Sequence, residues 1–339
     1  MDRILKDSWG RTIDYLRISV TDRCNLRCMY CMPERENPFP DGSFPEFLDS
    51  RELLTAKEWL IFARAAALAG IRKIRLTGGE PLTRPDLPEL VRGMAALPQI
   101  GQVVITTNAV GLARKLPALQ AAGLAGVNVS LDSMDRDVYR RIAGRDGLDE
   151  ALAGVRACLE RGIPVKINCV PVEGINDSQW IPLAKLAREW PVQVRFIEMM
   201  PIGGGREFPP VKSSRILQRL EQAFGPVCAD EHCCNDNSQE QQSPKGPAQI
   251  FRLPGFCGTI GFISAVNCGL CSSCNRIRVT AEGKLKLCLH HPAGGDVRAQ
   301  IRMGKTPEEL SRWLCEMVRE KPRDGVHTDE SRPMWKIGG

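Results

Sequence analysis

The stretch Cys24-Asn25-Leu26-Arg27-Cys28-Met29-Tyr30-Cys31 decides how the rest of the chain is read. Three cysteines stand at C-x3-C-x2-C spacing, just after an apolar, strand-like run at 15–21. Three closely spaced thiolates can hold three irons of a four-iron, four-sulfur cube and leave the fourth iron open. Open coordination suits chemistry on a small molecule, whereas electron-transfer clusters usually fill all four positions with cysteine. The same three cysteines would also serve a zinc site completed by a distant fourth ligand.

The surrounding chain narrows the choice. Its 339 residues are 43% hydrophobic and 25% charged, the composition of a globular chain with a sizeable core. That length allows one large or two ordinary domains. No apolar run approaches the roughly 18 residues of a membrane span, and the best, at 61–69, is broken by Arg64. The N-terminal residues 1–6 carry no signal-peptide apolar core, so a cytoplasmic, reducing location is expected. In such a compartment 14 cysteines argue for metal over disulfides. The formal charge of +6 is modest and no long Lys/Arg block occurs, so no nucleic-acid surface is expected. Arginines instead recur at the ends of strand-like runs, which suits a compact anion such as a nucleotide phosphate.

Taken in order, the chain alternates. Strands are expected at 14–21, 73–76, 102–106, 126–131, 165–170 and 192–197. Helices are expected at 55–69, 87–97, 112–122, 149–161 and 178–189. Thr55 and Glu58 are placed as a capping box, and Gly70 as the stop. Repeating strand–helix units predict an α/β fold, a parallel sheet curled into an incomplete (β/α)6 TIM-like barrel. Its site would lie at the strands' C-terminal ends, where the polar motifs fall. After about residue 200 the character changes, with one helix at 214–224 and a polar, turn-rich loop at 229–247 holding Cys233 and Cys234. A second cysteine group follows, Cys268-x2-Cys271-x2-Cys274 and then Cys288. A hairpin around Glu282-Gly283 would place Arg276 and Arg278 on one face. A helix at 307–320 and the tail Lys336-Ile337-Gly338-Gly339 close the chain. The expected domains are a barrel at 1–225 and a C-terminal extension at 226–339 carrying a second cluster.

Several motifs are specific together. They include Asp7-x-Trp9-Gly10-Arg11, Thr77-Gly78-Gly79-Glu80-Pro81, Thr106-Thr107-Asn108, Ser130-Leu131-Asp132-Ser133 and Gly174-Ile175-Asn176-Asp177. Cys271-x2-Cys274-Asn275-Arg276-Ile277-Arg278, Cys288-Leu289 and the Gly338-Gly339 end complete the set. In these motifs the chain resembles, nearly end to end, the GTP 3′,8-cyclase family of molybdenum cofactor biosynthesis, in the radical S-adenosylmethionine (SAM) superfamily. Departures are few. Ala109 follows Asn108 where the family usually has Gly, Cys268 is an additional cysteine, and the 229–247 loop is this chain's own.

The resemblance implies two 4Fe-4S clusters, one on Cys24, Cys28 and Cys31 and the other on Cys271, Cys274 and Cys288. It implies SAM contacts from Tyr30, Gly78, Gly79, Glu80, Ser130 and Met200. Glycines at 78 and 79 would let backbone approach SAM, and Glu80 would accept from its ammonium. Read without the family, Thr77 to Pro81 is a strand-to-helix turn with Pro at N1, and Met200 is core packing. The resemblance makes GTP the substrate, met by Arg17, Arg75, Thr106, Lys166, Arg195, Arg276 and Arg278. A 5′-deoxyadenosyl radical would take the ribose C3′ hydrogen, and C3′ would then bond to C8 of guanine. Arg17, Gly338 and Gly339 would assist catalysis; read without the family, the tail is a frayed terminus. Implied partners are a flavodoxin- or ferredoxin-type electron donor, the downstream cyclic pyranopterin monophosphate synthase, and a second copy in a homodimer. Two other readings stand beside this one: another radical SAM enzyme with an auxiliary cluster, and a zinc ribbon built from Cys268, Cys271, Cys274 and Cys288.

Overall fold

Strict alternation along the first strand sets the plan of the molecule. In β1 (Tyr15–Ser19), Leu16 and Ile18 are fully buried on one side, while Tyr15 and Arg17 point to the other. The computed structural model describes residues 4–33, 46–229, 247–264, 271–325 and 334–338. From β1 the chain runs through α1 (Ala56–Ala69), β2 (Lys73–Thr77), α2 (Leu87–Ala95), β3 (Gln102–Thr107) and α3 (Leu112–Ala121). Then come β4 (Gly126–Ser130), α4 (Arg136–Ala143), α5 (Leu148–Glu160), β5 (Val165–Cys169), α6 (Trp180–Glu189), β6 (Gln193–Ile197) and α7 (Ser213–Phe224). Beyond these lie β7 (Cys228–Ala229), β8 (Gln249–Arg252), β9 (Thr259–Ile263), β10 (Arg276–Val279), β11 (Lys284–Lys286) and β12 (Gly295–Asp296). Helices α8 (Val297–Arg302) and α9 (Pro307–Arg319) and the one-turn α10 (Met334–Ile337) finish the described chain.

Strands β1 to β6 pair in chain order and all in parallel. The later segment widens both edges of the same sheet. β10 adds in parallel to β1, with Arg17 opposite Arg278, and β9 adds in parallel to β6. Antiparallel β11 and β12 extend one edge, and β8 and β7 the other. The sheet is open but strongly curved. Flat, β2 and β6 would stand about 19 Å apart, four inter-strand steps. Yet the charge of Arg75 on β2 acts directly on Arg195 on β6, so the two strands face one another across a concave surface.

The convex face carries the core. Ile74, Leu76, Val103, Ile105, Val127, Val129, Ile167 and Val194 are buried there beneath Trp59, Phe62 and Trp180 of the helices. Helix α1 starts where the sequence says it should. Thr55 accepts from the Glu58 amide, Glu58 returns a bond to the Thr55 amide, and Gly70 at φ 122° ends the helix. Glu58 also pairs with Arg302 at 2.8 Å, tying α1 to the C-terminal helices. Among the described residues no helix is long and apolar enough to cross a membrane. The strand and helix expectations for 14–224 hold to within a few residues. Helices α4, α8 and α10 and strands β7 to β9 and β12 are not among the expectations. Strand β7 has two residues, β8 ends in Arg252 and Gly261 interrupts β9, so their alternation is too brief to register as a period. The expectations for Cys233, Cys234, Cys268 and Gly339 lie outside the described residues.

Thr55→Ala is expected to remove about 1 kcal/mol of stability, the usual worth of an N-cap hydroxyl. A lower urea midpoint at unchanged slope is the expected reading. An unchanged midpoint would show that the Arg302 contact alone secures the start of α1.

Candidate active site

Period-two alternation brings a set of cations to the concave face. Tyr15 and Arg17 come from β1, Lys73 and Arg75 from β2, Thr106 from β3, Lys166 from β5, Arg195 from β6, and Arg276 and Arg278 from β10. Arg75 donates through Nε to the Tyr15 hydroxyl and through Nη1 to Thr106 Oγ1 at 3.0 Å. The groups acting on these cations are chiefly one another. Burial first, then Arg278, lowers Arg17 well below its usual value. Burial with Arg75 brings Arg195 to about 10, and burial with Arg276 brings Arg278 to about 10. Lys166 falls to about 8 through burial and then the charges of Arg195, Lys73 and Arg75. Burial alone would raise Tyr15, but Arg75 and Arg17 outweigh it and lower it. Among the described residues Nε and Nη2 of Arg195 and Nε of Arg278 are buried without a partner. Gly261 makes room for Arg195, since a Cβ there would stand 2.9 Å from its Cγ. Buried, unpartnered guanidinium donors on a polar concave face fit a polyanion. Lys73, which sequence reasoning passed over, was legible two residues before Arg75 on the same face of β2.

The first cysteine loop leaves the C-terminal end of β1. Its backbone is gripped by α4, with Arg27 N donating to Ala143 O at 2.8 Å and Met29 N to Ile142 O at 2.9 Å. Asn108 Nδ2 reaches Asn25 Oδ1 at 2.8 Å, and the Tyr30 hydroxyl donates to Asp132 Oδ2 at 2.6 Å. Helix α4 is therefore a functional support that sequence reasoning missed. Its Asp135 N-cap, its Tyr139, Ile142 and Ala143 spacing, and Gly144 at φ 70° were signals enough. Burial is the main cause pushing the thiols up, Cys24 to about 11, Cys31 to about 12, and Cys28 well above the ordinary range. Thiolates become favourable in such a loop when a cationic metal centre binds them, so the donor set fits an iron–sulfur cluster.

The Thr77 to Pro81 turn also packs directly on the first cysteine loop. A Cβ on Gly78 would stand 2.4 Å from Thr21 O, and one on Gly79 would stand 2.4 Å from Arg23 O. The glycines are thus required by the approach of the cysteine loop's own backbone, which also receives the amides of Gly79 and Glu80. Buried Glu80 accepts from Leu82 N, Thr107 Oγ1 and Asn108 N at 2.7–2.9 Å, and burial raises it to about 7. Its carboxylate locks β2 to β3. Ala109 carries φ 63°, the one positive φ of a non-glycine among the described residues. That conformation accounts for a glycine preference at this position. Ser130 is exposed at the end of β4, and Met200 packs on a small cluster of Ile202, Leu289 and Ile337.

The second cysteine group lies at the other edge, beside β10. Gly325 sits between two of its sulfurs, for a Cβ there would be 3.7 Å from Cys288 Sγ and 3.8 Å from Cys271 Sγ. Its amide donates to Cys271 Sγ at 3.3 Å. Burial would raise Cys274, but Lys321 and Arg276 outweigh it and bring the thiol to about 7. A cation-flanked thiolate set suits iron–sulfur ligation. Among the described residues no three His, Cys, Asp or Glu side chains meet closely enough to hold a single metal ion. Thiolates that bind separate irons need not meet at one point.

The C-terminal tail runs into the concavity. Trp335 and Ile337 are buried, and Phe47 meets Trp335 edge-on at 6.0 Å. Gly338, at φ 90°, lies where a Cβ would be 2.8 Å from Ser19 Cβ and 2.9 Å from Thr77 Oγ1. Ser19 and Thr77 stand two residues beyond Arg17 and Arg75, on the same strand faces. The structure therefore brings together the two cysteine groups, the cations and Gly338 around one concave surface.

Comparisons with known proteins give the family and the fold. The Radical SAM superfamily matches residues 18–187, and Molybdenum Cofactor Synthesis C matches residues 192–326. The GTP 3′,8-cyclase of Clostridium perfringens is 39% identical over 340 residues, covering 99% of this chain and all of that one. The GTP 3′,8-cyclase of Pelotomaculum thermopropionicum is 39% identical over 344 residues, with 99% and 100% covered. Human molybdenum cofactor biosynthesis protein 1 is 38% identical over 341 residues, and the match spans 51% of its length. Among solved structures, Streptococcus suis SuiB bound to S-adenosylmethionine superposes with a TM-score of 0.61 at 16% identity, covering 91% of this chain and 69% of that one. That likeness is one of fold.

A nucleoside triphosphate bound to the concave cations is expected to return Lys166 toward its ordinary value. At pH 8, where free Lys166 is about half protonated, binding should then take up as much as about half a proton. Calorimetry in two buffers of different ionisation enthalpy reads this directly. Uptake equal in wild type and Lys166→Met would place the anion elsewhere.

Proposed function

The chain belongs to the GTP 3′,8-cyclase family of the radical SAM superfamily, and from that premise we propose that it converts GTP to (8S)-3′,8-cyclo-7,8-dihydroguanosine 5′-triphosphate in molybdenum cofactor biosynthesis. SAM and an iron–sulfur cluster on Cys24, Cys28 and Cys31 serve the reaction, and a second cluster on Cys271, Cys274 and Cys288 completes the reading. When bound and reduced, the first centre and SAM supply the 5′-deoxyadenosyl radical that removes hydrogen from C3′ of the ribose.

The observation that carries the reading is the cation set on one face of the sheet, in which buried Arg195 and Arg278 keep donors without a partner among the described residues. Arg17, Arg75, Lys166, Arg195, Arg276 and Arg278 hold the triphosphate. The guanidinium forks match phosphate oxygens, and Thr106 fixes the direction of Arg75. Their work is to hold ribose and base in reacting orientation, where misplacement of about 1 Å can cost roughly 100-fold in rate. Tyr30 is tied to Asp132 and Glu80 to β3, so both steady the walls of the SAM site. Gly78, Gly79, Ser130 and Met200 line that side. Cys271, Cys274 and Cys288 would hold the second centre, which would supply an open iron for the guanine end of the substrate. Gly338 meets Ser19 and Thr77 at close range where a side chain would clash, and with Gly339 it would assist the reaction. Residues 1–225 make the radical and 226–339 supply the second centre and the tail. A flavodoxin- or ferredoxin-type donor, the downstream cyclic pyranopterin monophosphate synthase, a homodimer and a cytoplasmic location follow from the same reading.

Anaerobic incubation of the reconstituted protein with GTP, SAM and dithionite, followed by mass and NMR identification of the product, is the test. The cyclised triphosphate is expected; 5′-deoxyadenosine without it would overturn the assignment. Removing Gly338 and Gly339 is expected to lower cyclisation by roughly 100-fold or more while GTP affinity stays unchanged. Full activity after that truncation would reduce the tail to packing.

A further inference from the structure

One motif has no part in the reaction as described so far. Residues Asp7-Ser8-Trp9-Gly10-Arg11 form a tight turn, with Gly10 at φ 80°, closed by a bond from Asp7 N to Arg11 O at 3.1 Å. The turn lies far in sequence from the second cysteine group, yet its contacts run there. Buried Arg11 spends its donors on four partners. Nε pairs with Asp7 Oδ2 at 2.5 Å, and Nη2 donates to Pro322 O at 2.6 Å. Nη1 donates both to Cys271 O at 2.7 Å and to Arg323 O at 2.8 Å. Asp7 Oδ1 accepts the amides of Trp9 and Arg11, which fixes the turn that presents the guanidinium.

Neighbouring residues grip the same segment. Ser8 Oγ donates to Arg319 O at 2.7 Å, and Trp9 Nε1 to Lys321 O at 3.0 Å. Arg323 lies over the Trp9 ring at 5.5 Å. From the inside, Lys321 Nζ donates to Arg276 O at 2.9 Å and to Leu287 O, the carbonyls beside Cys274 and Cys288. Residues 319–325 are thus a strap held by the N-terminal turn on one side and by the cysteine-bearing hairpin on the other. At its end Gly325 donates to Cys271 Sγ and passes between Cys271 and Cys288.

We propose that Arg11 is a positioning residue for the second iron–sulfur centre: its guanidinium fixes the Cys271 backbone against the 319–325 strap, so that Cys271 and Cys288 keep the separation the centre needs. The inference rests on the two-cluster reading above. A planar fork that reaches three carbonyls at once is required, and a lysine ammonium has neither the shape nor the reach to satisfy them together. Partners of this kind orient ligands, and their loss typically weakens metal binding by about 10–100-fold.

The test is anaerobic reconstitution of wild type, Arg11→Lys and Arg11→Ala, with iron and sulfide analysis and low-temperature EPR of the reduced proteins. Two centres correspond to about eight irons in wild type. The Arg11 variants are expected to fall toward about four, keep the signal of the first centre with its response to SAM, and lose the signal that responds to GTP. Wild type holding about four irons would remove the two-cluster reading, and this inference with it. Wild type and both variants holding about eight irons with the same GTP-sensitive signal would overturn the inference alone. Trp9→Phe, at a half-exposed side chain, keeps the test open should the Arg11 variants misfold. It loosens the same strap and is expected to speed loss of the GTP-sensitive signal to a chelator severalfold; an unchanged rate counts against the proposal.

Discussion

Mutual repulsion among Arg17, Arg75, Lys166, Arg195 and Arg278 is the constraint on which the rest of the architecture depends. Arg75, Arg195 and Arg278 are buried, Arg17 is half-buried and Lys166 is exposed on one face of one sheet, and Arg17, Lys166, Arg195 and Arg278 are shifted down by desolvation and by neighbouring cations. A closed eight-stranded barrel fills its interior with side chains and has no room for such a set. An open, curved sheet keeps the cations within reach of one ligand while water still solvates them. Their cost is borne by the convex face, where an uninterrupted apolar layer packs under the helices. A polyanion then gains affinity from the relief of that repulsion, and it stabilises the folded chain in proportion to its concentration over Kd.

Charge is also partitioned across the concavity. Around the first cysteine loop buried carboxylates act on the thiols, Glu80 on Cys24 and Asp132 on Cys28, while half-buried Arg27 is a cation that acts on Cys24. Around the second group cations, Lys321 and Arg276, act on Cys274. SAM carries a sulfonium cation and GTP a triphosphate, and each would be repelled at the other's end. The division steers the two molecules to opposite sides of one cavity.

Most of this was legible because two periodicities carry it. Residues alternating between apolar and basic along 15–18 and 73–76 announce a strand with a buried face and a ligand face. Thr55, Glu58 and Gly70 delimit a helix by hydrogen-bonding rules that need no tertiary context. What stayed hidden depends on approach between distant segments. The close approach of Gly78 and Gly79 to the backbone of Thr21 and Arg23 is one such contact, invisible in the local sequence. The bonds from Leu82, Thr107 and Asn108 to the Glu80 carboxylate are another, since two of those donors come from the end of the next strand. Strand β9 escaped because its role is to add beside β6 across a long excursion, a pairing that no local pattern encodes. The burial of Gly338 against Ser19 and Thr77 is likewise a contact between chain ends that sequence order keeps apart.

The chain's two ends resolve a difficulty that an open barrel creates. Where a full barrel would have further strand–helix units, this one has a gap beside β1, and β10 can line it only if the loops that bear Cys271 and Cys288 are anchored. The sheet itself cannot anchor them, because β11 and β12 have three and two residues. The anchor comes from outside the sheet, through the 7–11 turn, the 319–325 strap and buried Lys321. The tail then enters the concavity through the remaining opening, with Trp335 and Ile337 buried and Gly338 at the ends of β1 and β2. The first and last segments thus do the work of the missing strands, and they do it with backbone carbonyls, one guanidinium and a glycine. The cavity they complete stays polar, which a pair of additional apolar strands would not have allowed.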